Sequence, residues 1–145
     1  YLTRIADCKT NSGQNYCIVD GGIHQLNYYG QTMAMKLPFI RHLPQSPAGD
    51  GKGPSSCTVC GSLCTTADVI VKQLPLIHPQ PGDLLVFEKT GAYSVTEGIS
   101  LFLSRSLPPV LLYSRQRGML QAREAYPTDL LNAPRQTAQA VPHEL

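Results

Sequence analysis

Proline and glycine divide this chain into pieces too short for long helices. Twelve of each occur among 145 residues. The apolar runs between them recur at roughly ten-residue spacing, the rhythm of an all-β domain. Strands are predicted over Leu2–Cys8, Asn15–Asp20, Leu37–Leu43, Ser56–Ser62, Val69–Leu76, Asp83–Glu88, Val110–Tyr113 and Met119–Glu124. Alternating apolar residues in "NYCIVD" and "VIVKQLPLI" fit half-buried strands. Thr10–Gly13 reads as a hairpin turn and His78–Asp83, "HPQPGD", as a tight turn fixed by its prolines. In "AYSVTEGISLFLSR", Val95, Ile99 and Phe102 have the spacing of a short amphipathic helix, which Gly98 weakens. The expected fold is mainly β, an antiparallel sandwich or barrel-like domain with one or two short helices.

The length suits one domain. It is expected over residues 1–132, with residues 133–145 as a polar tail and Pro44–Ser56 as a mobile Pro/Gly/Ser loop. Apolar residues make up 42% and charged residues 15%, with a net charge of +2 from scattered Lys and Arg. Such a surface does not track phosphates, so no nucleic acid partner is expected. No apolar run reaches the roughly 18 residues that cross a bilayer, and no signal-peptide pattern is present, so no membrane association is expected. Tyr1 rather than Met opens the sequence, as in a piece of a longer chain.

Three of the five cysteines fall in "SCTVCGSLCTTAD", Ser56–Asp68, at C-x2-C-x3-C spacing. A structural zinc site needs four ligands, and neither a second C-x2-C nor a paired histidine motif accompanies this one; no metal is expected. On a regular strand Cys57 and Cys60 face opposite ways and do not bridge. An odd cysteine count in a chain of this size fits a reducing, cytoplasmic setting. Cys64 sits where the strand ends, and spacing alone leaves it open between a small apolar filler and a thiol that reaches a cleft.

Three segments carry a resemblance. "CGSLCTTADVI" resembles the "CGPxCxxxD" segment in the C-terminal β-domain of pyridoxal-phosphate-dependent decarboxylases of the ornithine, diaminopimelate and arginine type (fold-type III). "PGDLLVFEKTGAYS" is similar to that family's "GDxLxxxxxGAY", and "YCIVDGGIHQLN" to its "VDGG" strand. They stand in the family's order and reach to about Asn132.

The resemblance implies a (β/α)8 barrel domain, absent from this chain, that carries the cofactor lysine and most of the phosphate site. It also implies a homodimer in which the β-domain of one subunit completes the active site of the other. Cys64 would be the catalytic thiol near the substrate Cα, helping to orient the carboxylate and to return a proton after CO2 leaves. Tyr93 would contact pyridoxal phosphate, and Asp68 would support the dimer contact. Asp20 would lie near the distal end of a small amino-acid substrate. Thr65 stands where the family usually has an acid, and "IHQLNYYGQ" lacks the arginine–proline pattern used for a second carboxylate. Both departures favour a less charged or carrier-attached amino acid over diaminopimelate, although a diaminopimelate decarboxylase proper is the alternative. A non-catalytic regulatory β-domain is the rival from another class.

The chain alone is expected to be inactive, because none of Lys9, Lys36, Lys52, Lys72 and Lys89 lies in a segment like the family's cofactor-lysine segment. It is also expected to self-associate through surface that the barrel would cover. His24 is expected to be a hydrogen-bonded strand histidine or a pocket residue beside Asp20, and Glu97 a solvated first-turn acid near a helix N-terminus or a cofactor neighbour. Arg105 is expected on the surface or across the dimer, and Tyr28 and Tyr29 as one core ring and one pocket ring.

Overall fold

A computed structural model describes residues 1–27, 39–45 and 53–134. Tyr28, Tyr29, most of the Pro44–Ser56 loop and residues 135–145 lie outside these. Six strands make one open, curled sheet: β1 Leu2–Asn11, β2 Gln14–Val19, β3 Ile40–Leu43, β4 Ser55–Cys60, β5 Val69–Leu76 and β6 Leu84–Phe87. Their order across the sheet is β3-β6-β1-β2-β4-β5. A short helix α1, Ala92–Thr96, and a 3-10 turn, Phe102–Ser104, follow β6. The separate hairpin of β7 Val110–Ser114 and β8 Gly118–Arg123 comes next, and then a 3-10 turn over Asp129–Leu131. The architecture is the mainly β, barrel-like one that the strand rhythm predicts. Among the described residues, no helix is long and apolar enough to cross a membrane.

Period-two alternation builds the core. Thr3 and Ile5 of β1, Cys17 and Val19 of β2, Cys57 and Val59 of β4, and Leu85 and Phe87 of β6 all turn inward. Burying each large apolar side chain contributes about 1.5–3 kcal/mol before chain entropy is counted. Strand β5 breaks the rule, because Val71 and Leu74, three positions apart, are both buried. Cys57 pairs with Leu74 and Val59 with Val71, so β5 carries an extra residue there, a bulge with Gln73 at φ 55°.

The expected β1–β2 hairpin turn is present but narrower than Thr10–Gly13: β1 continues through Asn11, leaving Ser12 (φ 49°) and Gly13 (φ 77°), both in the left-handed region, as the turn. Asp83 closes the predicted His78–Asp83 turn. Its buried carboxylate accepts from the amides of Gln80 and Gln45 (both 2.9 Å) and meets His42 Nε2 at 2.8 Å.

Two expectations change. The sheet is not wholly antiparallel, since β2 and β4 run parallel. A parallel pair needs a long crossover, and the chain between them travels to the far edge, where β3 pairs with β6, before it returns. The helical stripe is also shorter than its spacing implies. The helix ends at Thr96, before Gly98, and Val95, Ile99 and Phe102 are all exposed. A Cβ at position 98 would stand 3.2 Å from the Ile23 carbonyl, a tight fit that glycine relieves where the chain passes the Asp20–Asn27 loop.

Candidate active-site face

Strand direction gathers the motifs. β6 and β2 are each antiparallel to β1, and β4 is parallel to β2, so β2, β4 and β6 all point the same way. Their C-terminal ends therefore share one end of the sheet. From these ends leave Asp20–Asn27, Gly61–Asp68 and Glu88–Gly98, the loops that hold "DGG", "CTTAD" and "GAYS".

Asp68 joins the first two loops. Only 2% exposed, its carboxylate accepts from the Ile23 amide (2.9 Å) and the Leu63 amide (2.8 Å). A Cβ on Gly22 would stand 2.6 Å from Asp68 Oδ2, and one on Gly61 would overlap the carboxylate more severely. The glycines of "DGG" and "CGS" are there so that this acid can enter between the loops. The Ser62 amide donates to the Gly21 carbonyl (2.7 Å), and the Ser62 hydroxyl to the Asp20 carbonyl (3.1 Å). Asp68 is thus an internal pin, and any part it plays in a dimer contact passes through the loops it holds.

The third loop is tied on by backbone. The Asn27 amide donates to the Ser94 carbonyl (2.7 Å) and the Ile99 amide to the Ile23 carbonyl (3.0 Å). Ser94 is buried within α1 while its neighbour Tyr93 is 74% exposed, leaving the phenol open to solvent. Gly91, Tyr93, Ser94 and Glu97 line an open depression of about 390 Å³.

Cys64 is exposed on the Gly61–Asp68 loop, whereas Cys57 is buried and Cys60 half-buried on opposite faces of β4, as strand alternation requires. Thr65 turns inward on its own loop, with Oγ1 accepting from the Ala67 amide (3.3 Å) and its carbonyl from the Asp68 amide (3.2 Å). Asp20 is exposed at the end of β2, and its Oδ1 accepts from Thr3 Oγ1 (2.6 Å) and the Arg4 amide (2.9 Å). These bonds hold the carboxylate at the end of the sheet. Five residues named from the sequence therefore sit on three tied loops, with Cys64, Thr65 and Asp68 on one of them.

His24 departs from its expected setting. It lies in a turn rather than a strand, is 1% exposed, and neither ring nitrogen has a hydrogen-bond partner among the described residues. Burial lowers its pKa, the Arg105 guanidinium lowers it further, and Asp68 opposes them weakly. Arg105 stays exposed and donates to the Ser62 hydroxyl (3.1 Å), a contact within the chain that spacing does not show. Thr128 anchors the same segment from below, donating to the Arg105 carbonyl (2.9 Å). Glu97 is exposed beside the depression but caps the C-terminal end of α1, not the first turn expected of it, because the helix begins at Ala92 and ends at Thr96. Among the described residues, no three His, Cys, Asp or Glu side chains are grouped to hold a metal.

The family model of the pyridoxal-dependent decarboxylase C-terminal sheet domain matches residues 1–91. The chain belongs to this family. It is 31% identical over 129 residues to a diaminopimelate decarboxylase of Deinococcus radiodurans, covering 89% of the chain and 32% of that relative. It is 26% identical over 140 residues to the L-glutamyl-[BtrI acyl-carrier protein] decarboxylase of Niallia circulans, covering 94% and 32%. A solved diaminopimelate decarboxylase of Helicobacter pylori, complexed with L-lysine, superposes with TM-score 0.69 at 25% identity, over 90% of the chain and 30% of the other. Another solved diaminopimelate decarboxylase gives TM-score 0.73 at 24% identity, over 90% and 32%. The chain thus spans about a third of the length of these relatives.

Family membership implies pyridoxal phosphate in the full enzymes. Among the described residues that line the depression, none is a lysine or arginine.

Proposed function

We propose that the longer protein is a pyridoxal-phosphate-dependent amino-acid decarboxylase and that this chain is its C-terminal sheet domain. It completes an active site formed with the barrel domain of a second, identical subunit. The observation that carries this reading is the delivery of three family segments to one end of the sheet by three strands of one direction. A decayed regulatory domain would have no need to keep those loops tied by a buried acid and matched glycines.

The cofactor, when bound, supplies the electron sink that takes the pair left on Cα as CO2 departs. The chain's own residues serve the steps around that event. The exposed Tyr93 hydroxyl would donate a hydrogen bond to the cofactor. Cys64 carries a thiol proton that passes to Cα, and the exposed thiolate regains a proton from solvent. Asp68 does not touch substrate; it keeps the Cys64 loop seated on the Asp20 loop. Asp20 takes the polar distal end of the substrate.

Thr65, neutral and bonded within its own loop, cannot pair with a second ammonium as an acid would. The substrate is therefore an amino acid with reduced distal charge or one attached to a carrier. The relative that acts on an L-glutamyl carrier protein fits this class better than the diaminopimelate enzymes do.

The test is decarboxylation by the full-length protein in D2O, comparing wild type with Cys64→Ala and a Cys57→Ala control, over a panel of free and carrier-bound amino acids. Cys64→Ala should lose about 10²–10⁴-fold in the step that returns a proton, the usual worth of a positioned general acid. It should also place deuterium wrongly, while Cys57→Ala keeps the wild-type product. Equal products from all three would remove Cys64 from the reaction. A clear preference for diaminopimelate would overturn the substrate assignment.

A further inference from the structure

Away from this face, β1 and β2 set two thiols directly opposite each other. In an antiparallel hairpin, opposed residues alternate between pairs that exchange backbone hydrogen bonds and pairs that do not. Counting from the two-residue turn, Asn11↔Gln14 closes the hairpin as a bonded pair. Thr10↔Asn15 is then non-bonded, Lys9↔Tyr16 bonded and Cys8↔Cys17 non-bonded. The Cys8 amide agrees with this count, since it turns from β2 and donates to Asp7 Oδ1 at 2.9 Å. Non-bonded pairs bring Cα atoms to about 4.5 Å and their side chains closest together. That separation lies within the range a disulfide spans. The two sulfurs are 3.8 Å apart. Cys8 is half-buried at the surface end of the pair, while Cys17 is 1% exposed and passes the row of thiols on to buried Cys57 of β4.

We propose that Cys8 and Cys17 are an oxidative modification site, forming a reversible cross-strand disulfide in which Cys8 is the sulfur an oxidant meets first. With a small disulfide such as glutathione disulfide as oxidant, the Cys8 thiolate attacks one of its sulfurs and expels one glutathione thiolate. A mixed disulfide is left on Cys8. Cys17 then gives up its proton and attacks Cys8 Sγ, expelling the second glutathione. Two protein thiols lose two protons and two electrons, and one small disulfide becomes two thiols. The product ties β1 to β2, the strand that delivers Asp20 and the "DGG" loop.

Burial raises the pKa of both thiols, so the reaction is slow near neutrality and accelerates with pH, about tenfold per unit while thiolate is scarce. Full-length protein is incubated with glutathione disulfide at about pH 8, digested without reductant and mapped by mass. The expected result is a peptide pair joined through Cys8 and Cys17, two hydrogens lighter than its thiols and separated by dithiothreitol. It should be absent in Cys8→Ser and Cys17→Ser and retained in Cys57→Ser. Where Cys17→Ser does not fold, the wild-type map decides alone. Glutathione on exposed Cys64 with Cys8 and Cys17 both still free would overturn the proposal. So would Cys8 held permanently as the mixed disulfide, or a Cys17–Cys57 bond in place of the Cys8–Cys17 one.

Discussion

At the residue scale, two buried groups respond to acid in separate windows. Burial works against the Asp83 charge, but the amides of Gln45 and Gln80 and the His42 ring outweigh it and hold the carboxyl below its usual 3.8. The unfolded chain therefore takes up the proton first. Asp83's contribution is whole above about pH 4 and is lost as pH falls further. His24 acts earlier. Its folded pKa lies below the usual 6.5, so both states are neutral above that value, and below it the unfolded chain alone gains a proton. Urea unfolding of the chain should show stability declining in both windows. His24→Gln should flatten the upper one only, and Asp83→Asn the lower one only, with a loss of about 1–3 kcal/mol at neutral pH. A profile unchanged by either substitution would contradict the assignments. Neither setting was legible in the sequence. His42 and Asp83 meet through the pairing of β3 with β6, and nothing local in "DGGIHQL" records that the His24 ring turns inward.

At the scale of elements, the strands were legible because a two-residue period with Pro and Gly boundaries is a local signal. Every strand predicted within the described residues is present, most of them shifted by a residue or two at an end. The β5 bulge and the direction of β4 relative to β2 were not, while Gly98 marked the weak point of the helix without fixing its end at Thr96. Which strands pair, and in which sense, depends on a crossover tens of residues long, and the bulge is set by cross-strand register. The three segments could be found by their letters, but their common exit from one end of the sheet is a property of topology. Gly61 tests the joint between loops. In Gly61→Ala the new methyl overlaps the buried Asp68 carboxylate, which must move and give up its amide bonds. The expected loss is about 2–4 kcal/mol, read from the urea midpoint, and larger than for Gly53→Ala, where a Cβ meets nothing within 4 Å. Equal costs at the two positions would mean that the pin carries no weight.

For the molecule as a whole, the C-terminal half leaves much apolar surface uncovered. Leu111, Leu112, Tyr113, Met119 and Leu120 of the β7–β8 hairpin are each 46% exposed or more. Every residue of β8 is open to solvent. A two-stranded hairpin is marginal by itself in water, and a patch of this kind favours association. The 145-residue chain prepared alone should sediment as a dimer or larger species. Leu112→Lys combined with Leu120→Lys should shift it towards monomer, and a clean monomer before substitution would contradict the expectation. Composition did not announce this surface, because ordinary strand-like runs such as "VLLYS" and "MLQAR" do not say whether anything covers them.

The common direction of β2, β4 and β6 also divides the sheet into an end for the proposed chemistry and an end for handling. The Ser12–Gly13 turn lies at the opposite end, one strand of six residues away, or about 20 Å. A fluorophore or affinity peptide set there would leave Cys64, Tyr93 and Asp20 untouched. An observer's probe can thus ride on this domain while its working end is engaged elsewhere.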